Sequence, residues 1–485
     1  MKKTFIICTA LLLITAWSTQ ARAYEAITGP TGVLYYDKDK AFNGYTLFSP
    51  MINCKTTYLI DMEGNVVHSW ESQYRPGLHA VMLPNGNMLR GGVVEQEEGK
   101  TYCQIGGVGG IIEEFDWDGN VVWSYKLFEP GKSIQHHTFC RMPNGNTLIL
   151  AWEAKTKKEA ISKGRDPKTV PDKPVKYRGT DHNDFWVDFV REVDKNGKAV
   201  WEWHVWDHIG TGPDEFDINY HLPQHVGHGI LYPDLDWTHF NTVFYIPSTD
   251  TVVLNSRNFS EFYFINHKTG KMEYRWGNPS THNKGKRPGW YDNADQKVFG
   301  SHCATPLENG NILIFDNGSE RPEGNRSAAV EVNPETGEIV WEYVTKQTNS
   351  FFSYRQGAVQ RLSNGNTFIT STHGGHFIEV TKDKEVVWEY ISPVFSGKFK
   401  CVAEDSDALP LKSNLNGMAN MIHRAYRYGA DFPGLKGKDL SAKKQMGNCP
   451  QFYKDYKEGA TLSGTTAAED ADENEEEDGP TMKSY

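Results

Sequence analysis

Residues Asp116–Tyr125 read DWDGNVVWSY. An acidic turn residue and a glycine, placed to supply the positive φ of a tight type I′ turn, lead into a strand. In that strand apolar side chains alternate with polar ones and the last residue is aromatic. The phrase returns as DMEGNVVHSW from Asp61, VDKNGKAVWEW from Val193, NHKTGKMEYRW from Asn266 and NPETGEIVWEY from Asn333. A copy without glycine, TKDKEVVWEY, starts at Thr381. A second phrase, Asn-Gly-Asn followed by an apolar strand, stands at Asn85, Asn144, Asn309 and Asn364, with a degenerate form at Ser248-Thr249-Asp250. The closing aromatics of the first phrase, Trp70, Tyr125, Trp203, Trp276, Tyr343 and Tyr390, fall 47 to 78 residues apart. A unit of about four strands, repeated six times, is the sequence form of a propeller. The expected fold is therefore all-β, a six-bladed β-propeller, with the 14 Trp and 23 Tyr side chains filling the wedges between blades. A pair of β-sandwiches also has many short strands, but gives no reason for two phrases to alternate.

The two ends read differently. Lys2 and Lys3, a thirteen-residue apolar run from Phe5 to Trp17, and Ala21-Arg22-Ala23 have the order of a secretory signal peptide with its cleavage site. The run is shorter than the roughly 20 residues a membrane span needs. Export to a periplasmic or secreted location is expected, with no membrane span in the mature chain. At the other end, eight of the ten residues from Glu469 to Asp478 are acidic, a composition that repels itself and buries nothing. Much of the net charge of -11 lies there, and no basic stripe suggests nucleic acid. The expected layout is a signal peptide over 1–23, an N-terminal extension over 24–50, the propeller over 51–440, a coil over 441–463 and a disordered acidic tail over 464–485. Residues 24–50 could cap the first blade or pair with the last strand. Asn414 to Gly437 could complete the sixth blade, and the polar segment Lys155 to Thr180 reads as a loop over one face. Cys54, Cys103, Cys140, Cys303, Cys401 and Cys449 remain after signal removal, without a CxxC pair to suggest a metal. Cys401 with Cys449 is a guess at a disulfide. Monomer and homo-oligomer are both open.

The chemistry emerges when histidines are placed on the repeat. His302 and His137 each lie seven residues before an Asn-Gly-Asn, His79 lies six before, and His239 lies nine before the degenerate Ser248 turn. Equivalent positions on successive blades form a ring about the axis, so these histidines should meet at one mouth of the channel. Single buried histidines usually serve the core, and a shared phase is what points to a site. His68, His204, His208, His267, His282 and His423 lack the phase and read as structural or surface residues.

Asp236-Trp237-Thr238-His239-Phe240-Asn241, with Ser256-Arg257 following so that Arg257 falls eighteen residues after His239, resembles the arylsulfotransferase family. The resemblance continues in VFGSHCATPLENGNILIFDNG from Val298, at His136-His137 and in Glu159 to Pro167, and covers about residues 50–440. Asn258 and Ser301 depart from the family's usual His and Gln. The resemblance implies transfer of a sulfuryl group from a small-molecule aryl sulfate donor to a phenolic acceptor through a sulfated histidine, with no nucleotide donor and no cofactor or metal. It implies His302 as nucleophile, with His239, Arg257 and His137 as catalytic partners and Asn241, His136 and His79 around the substrate. The residue types suit this: a neutral imidazole can attack sulfur, Arg257 offers a planar cationic fork, and a second histidine can move a proton. No Walker-type loop is present. Two other readings remain, a metalloenzyme with histidine ligands, against which an adjacent arginine counts, and a non-catalytic binding propeller.

Overall fold

The computed structural model describes residues 31–51, 54–95, 106–170, 175–177, 180–182, 185–220, 236–345, 348–394 and 420–445. Six small antiparallel sheets make a six-bladed propeller. Blade 3 is typical, a meander of Phe240–Ile246, Thr251–Ser256, Glu261–Asn266 and Met272–Trp276. Blades 1, 2, 4 and 5 lie over 76–126, 133–204, 302–343 and 358–391. The first strands of neighbouring blades face one another around the axis.

Blade 6 is assembled from both ends of the described chain. Its innermost strand is Ala425–Gly429, followed outward by Gly44–Phe48, Thr56–Ile60, Asn65–Glu71 and Lys444–Gln445. The strand within Asn414 to Gly437 thus completes the blade. Gly32–Tyr36 adds to the outer edge of blade 5. The sheets therefore begin before residue 51, because the ring closes on Gly44–Phe48. The signal region, the acidic tail and the Cys401–Cys449 pair lie outside the described residues. Lys155 to Thr180 is more than loop: Lys157–Ser162 is a short helix with a Thr156/Glu159 capping box, which ties off its free N–H groups. Among the described residues, no helix is long and apolar enough to cross a membrane.

Both repeated phrases are hairpins, of another type than I′. In the first phrase Gly64, Gly119, Gly197, Gly270 and Gly337 have φ of 70° to 86°, and the residue before each is not left-handed. This is a type I turn closed by one left-handed residue, so a single glycine suffices. The leading Asp or Asn accepts backbone N–H groups, as Asp61 does from Glu63 and Asn65. Lys384 and Asp250, with φ of 71° and 50°, hold the left-handed position in the two degenerate copies.

Two rings of polar contacts explain the rest of each phrase. The indole Nε1 of Trp70, Trp123, Trp203, Trp276, Trp341 and Trp388 donates at 2.8–3.0 Å to a carbonyl in the outer hairpin of the next blade. Each such bond is worth about 1 kcal/mol net, and together they tie every blade to its neighbour. The last Asn of Asn-Gly-Asn donates to a third-strand glutamate, as Asn87 does to Glu114 and Asn366 to Glu379. That glutamate then takes a cation from the next blade, Arg141 on Glu114 and Arg427 on Glu379. Apolar side chains fill six wedges between adjacent blades.

Candidate functional site

The inner strands start irregularly. Leu78, His137, His239 and Cys303 have φ of 79°, 48°, 46° and 55°, where the pairing register shifts in blades 1, 2, 3 and 4. Such bulges bend a strand and re-aim its side chains. Non-glycine residues tolerate this conformation only where surroundings enforce it. Here the backbone does so: the His137 N–H donates to Gly107 O and the Arg257 N–H to His239 O. The latter bond, beside the Phe240–Ser256 pairing, accounts for the eighteen-residue step from His239 to Arg257: the two residues face each other across one hairpin.

His302 is buried, and its Nδ1 lies 2.6 Å from Asn317 Oδ1 and 3.0 Å from Gly300 O. The Asn317 amide is oriented by donation to Ser353 O and Gln356 O, so its oxygen must face the imidazole. Two acceptors at Nδ1 place the ring proton there and leave Nε2 with its lone pair, which accepts the Gln356 N–H at 3.3 Å. Burial, then the Arg257 guanidinium, holds His302 well below the usual imidazole range. The ring is therefore neutral at ordinary pH.

His239 Nδ1 bonds Asp236 Oδ2 at 2.5 Å. Burial and Asp188 raise the Asp236 carboxyl, while burial and Arg257 lower the His239 imidazole. Both directions favour an uncharged pair, with one proton between Oδ2 and Nδ1 and another on Nε2. The His137 ring centre lies 4.8 Å from that of His239. His136 turns the other way, stacked on Trp152 at 3.7 Å with Nε2 3.0 Å from Asp188 Oδ1. Of the two, His137 faces the axis and His136 braces it through an Nδ1–Nδ1 contact of 2.8 Å.

Arg257 is 4% exposed. Its Nη1 donates to Asn258 Oδ1 at 3.1 Å, and its Nε has no partner among the described residues. No carboxylate there forms an ion pair with it; burial lowers its pKa, while Glu320 and Asp236 act on it in the opposite sense. A buried guanidinium whose N–H groups are not all satisfied is suited to accept an anion. Asn258, the departure from the family's histidine, orients it by donating to Asp236 O and Trp237 O.

Other expected residues are placed differently. Asn241 donates its amide to Ser301 O, and its oxygen accepts from Thr242 and Asn255, so it positions the backbone before His302. His79 packs on Phe139 and Tyr426, off the His302–Arg257 group. His423, read as structural or surface, is fully buried with its ring centre 6.0 Å from that of His137 and 6.3 Å from that of His302. His204 and His267 hydrogen-bond to Glu153, Glu192 and Asp250. Asn317, Asp236 and Asp188 bond the site histidines, and His423 lies beside them; the sequence reading assigned none of these. Among the described residues, no three His, Cys, Asp or Glu side chains are placed to share a metal ion.

Fold and site together define a propeller whose axis gathers buried imidazoles, those of His137, His239, His302 and His423 held neutral by burial, beside the buried Arg257 guanidinium. The chain belongs to the arylsulfotransferase (ASST) family, whose sequence profile matches residues 37–404. Membership gives it an arylsulfotransferase-like function on small-molecule substrates. None of the curated proteins compared with it matches. Among solved structures, a protein of unknown function from Bacteroides caccae shares 12% identity with a TM-score of 0.42, over 72% of this chain and 94% of its own. A streptogramin B lyase shares 13% with a TM-score of 0.37, over 76% and 85%. Virginiamycin B lyase from Staphylococcus aureus shares 12% with a TM-score of 0.37, over 76% and 86%. Likenesses this distant carry no inference about what the chain does.

Proposed function

We propose that the protein transfers a sulfuryl group from an aryl sulfate ester to a phenolic acceptor through a sulfohistidine at His302, without a nucleotide donor, and that it does so after export. The observation that carries this reading is the pairing of a tautomer-locked, neutral His302 with a buried Arg257 that forms no ion pair among the described residues. The His302 Nε2 lone pair attacks sulfur while the sulfur–aryl oxygen bond breaks and its electron pair leaves with the phenolate. By analogy with phosphoryl transfer, the transition state is loose and its charge sits on the equatorial oxygens, where the Arg257 fork is suited to it. His239 Nε2–H gives its proton to the phenolate, leaving one negative charge on the Asp236–His239 pair beside Arg257. In the second half His239 takes the acceptor phenol's proton, the phenol oxygen attacks sulfur, and the nitrogen–sulfur electron pair returns to His302. Two easier steps replace one hard one.

The test is 4-nitrophenyl sulfate with and without an added phenol. Nitrophenol release should depend on the phenol, and protein quenched without acceptor should carry one sulfuryl group on the peptide containing His302. His302→Ala should lose both. Release that ignores the phenol, or an adduct that persists in His302→Ala, would refute the mechanism. Sequencing the exported protein should give an N-terminus near Tyr24; retention of residues 1–23 would refute cleavage there.

A further inference from the structure

Beside the reacting nitrogens the axis carries buried polar atoms without a partner among the described residues, and the proposed reaction does not use them. His423 is fully buried, and neither ring nitrogen has a partner among the described residues. Arg424 reaches across the axis from blade 6 to blade 3, where its Nη2 donates to Asn241 O at 2.8 Å and Thr242 Oγ1 at 3.1 Å. Its Nε and Nη1 meet no acceptor. His79, from blade 1, buries an unpartnered Nδ1 with its ring 5.7 Å from that of Tyr426. The Tyr426 hydroxyl lies beside Arg424.

Charge separates this group from an ordinary buried polar cluster. Arg424 is 3% exposed and has no carboxylate partner among the described residues. The groups that act on His423 are Arg424 and the imidazoles of His302, His79 and His239, and Arg424 alone acts on His79. No acid is among them. Orphaned buried donors call for an ordered water or an ion. Water would satisfy the donors, yet would leave a buried cation uncompensated, which is costly. We infer that Arg424, His423 and His79 form a second anion subsite on the propeller axis, separate from Arg257, that takes a small inorganic anion. The site stands whether or not sulfuryl transfer is the reaction. Its occupancy would bear on the nucleophile, because an anion there offsets the Arg424 field acting on His302.

The experiment uses the full chain carrying Arg257→Met, which removes the anion site of the reaction centre. Thermal unfolding is followed against sodium chloride and, separately, sodium sulfate, with ionic strength held by sodium gluconate. A saturable rise in Tm is expected with at least one of the two anions. Adding Arg424→Met should weaken the apparent affinity by at least about tenfold. Adding His423→Phe instead should weaken it as well, and keeps the test open should the arginine variant not fold. Bromide soaked into crystals of Arg257→Met should give an anomalous peak between Arg424 and His423. No saturable response in Arg257→Met, a response unchanged by both further substitutions, or water with no bromide at Arg424 would overturn the proposal. Chloride and sulfate arms distinguish which kind of anion the chamber admits.

Discussion

A histidine attacks sulfur only through a nitrogen that keeps its lone pair, and at His302 one amide decides which nitrogen that is. Asn317 Oδ1 accepts the Nδ1–H, and its amide is held in place by donating to two carbonyls. Asn317→Ala should therefore lower kcat by about tenfold, the worth of one neutral hydrogen bond, with KM little changed. Asn317→Gln, which keeps an amide, should restore more than Asn317→Asp, whose carboxylate cannot donate to Ser353 O and Gln356 O; equal rates in all three would remove the positioning role. The phrase Phe315-Asp316-Asn317-Gly318 is visible in the sequence, yet its asparagine can be assigned only once Phe315 is seen to pair with His302. Burial also leaves a signature in stability. His79, His137, His302 and His423 all have pKa values pushed well below the ordinary imidazole range, burial being the largest cause. Between about pH 6.5 and those lowered values the unfolded chain binds protons that the folded chain does not. Stability is thus full above about pH 6.5 and falls as pH drops through that window. His68, His208, His239, His282 and His373 are lowered too. His204, raised by Glu153, and the Asp236, Glu261 and Asp316 carboxyls, raised by burial, act in the opposite sense but are fewer. Urea midpoints taken from about pH 7.5 down to about pH 5.5 should decline; a flat or rising series would contradict neutral burial.

At the scale of elements, the site is a property of how inner strands begin. A regular strand alternates its side chains between faces, and no regular strand could turn His136 to Asp188 while sending His137 to the axis. The bulge does this, and it needs room. A Cβ on Gly107, itself at φ of 107°, would sit 2.0 Å from the His137 ring. Gly107→Ala should displace His137 and cut turnover by at least about tenfold, while the far-side blades keep their structure; the cost of the left-handed residue is about 1 kcal/mol. Turnover with circular dichroism and Tm separates the two effects, and wild-type kcat in a folded variant would show that His137 is not needed where it stands. The hairpins themselves are legible, because turn chemistry is local: the Asp or Asn that accepts N–H groups and the glycine at positive φ are written in each phrase. Bulges are not, because His137, His239 and Cys303 hold left-handed conformations through contacts from other strands, and nothing local marks them.

For the whole molecule, the place where reading by repeat breaks down is the place where the ring is closed. Five blades carry an inner hairpin phrase, at Asn85, Asn144, Ser248, Asn309 and Asn364. Blade 6 has none, since its first two strands come from opposite ends of the chain. His423 therefore has no Asn-Gly-Asn to be counted from, and a histidine that faces the axis passes for a structural one. The same closure concentrates load on Arg427. Its Nη1 pairs with Glu379 of blade 5 at 2.9 Å, both side chains 0% exposed, and its Nε donates to Thr46 of the N-terminal strand. Its guanidinium also lies 4.2 Å from the Trp388 ring centre, and Trp388 donates to Met62 O. Blade 4's counterpart, Glu331 with Arg361, is more exposed, at 11% and 19%. Removing one partner of a buried pair strands the other charge and costs about 3–5 kcal/mol, against about 0–1 for an exposed pair. Arg427→Met should accordingly lose several times more unfolding free energy than Arg361→Met, by urea denaturation at one pH. Because His423 and Arg424 precede the same strand, anion-dependent stabilisation should weaken in Arg427→Met as well and persist in Arg361→Met. Equal losses in the two variants would mean that closure of the ring is no weaker a seam than any other junction between blades.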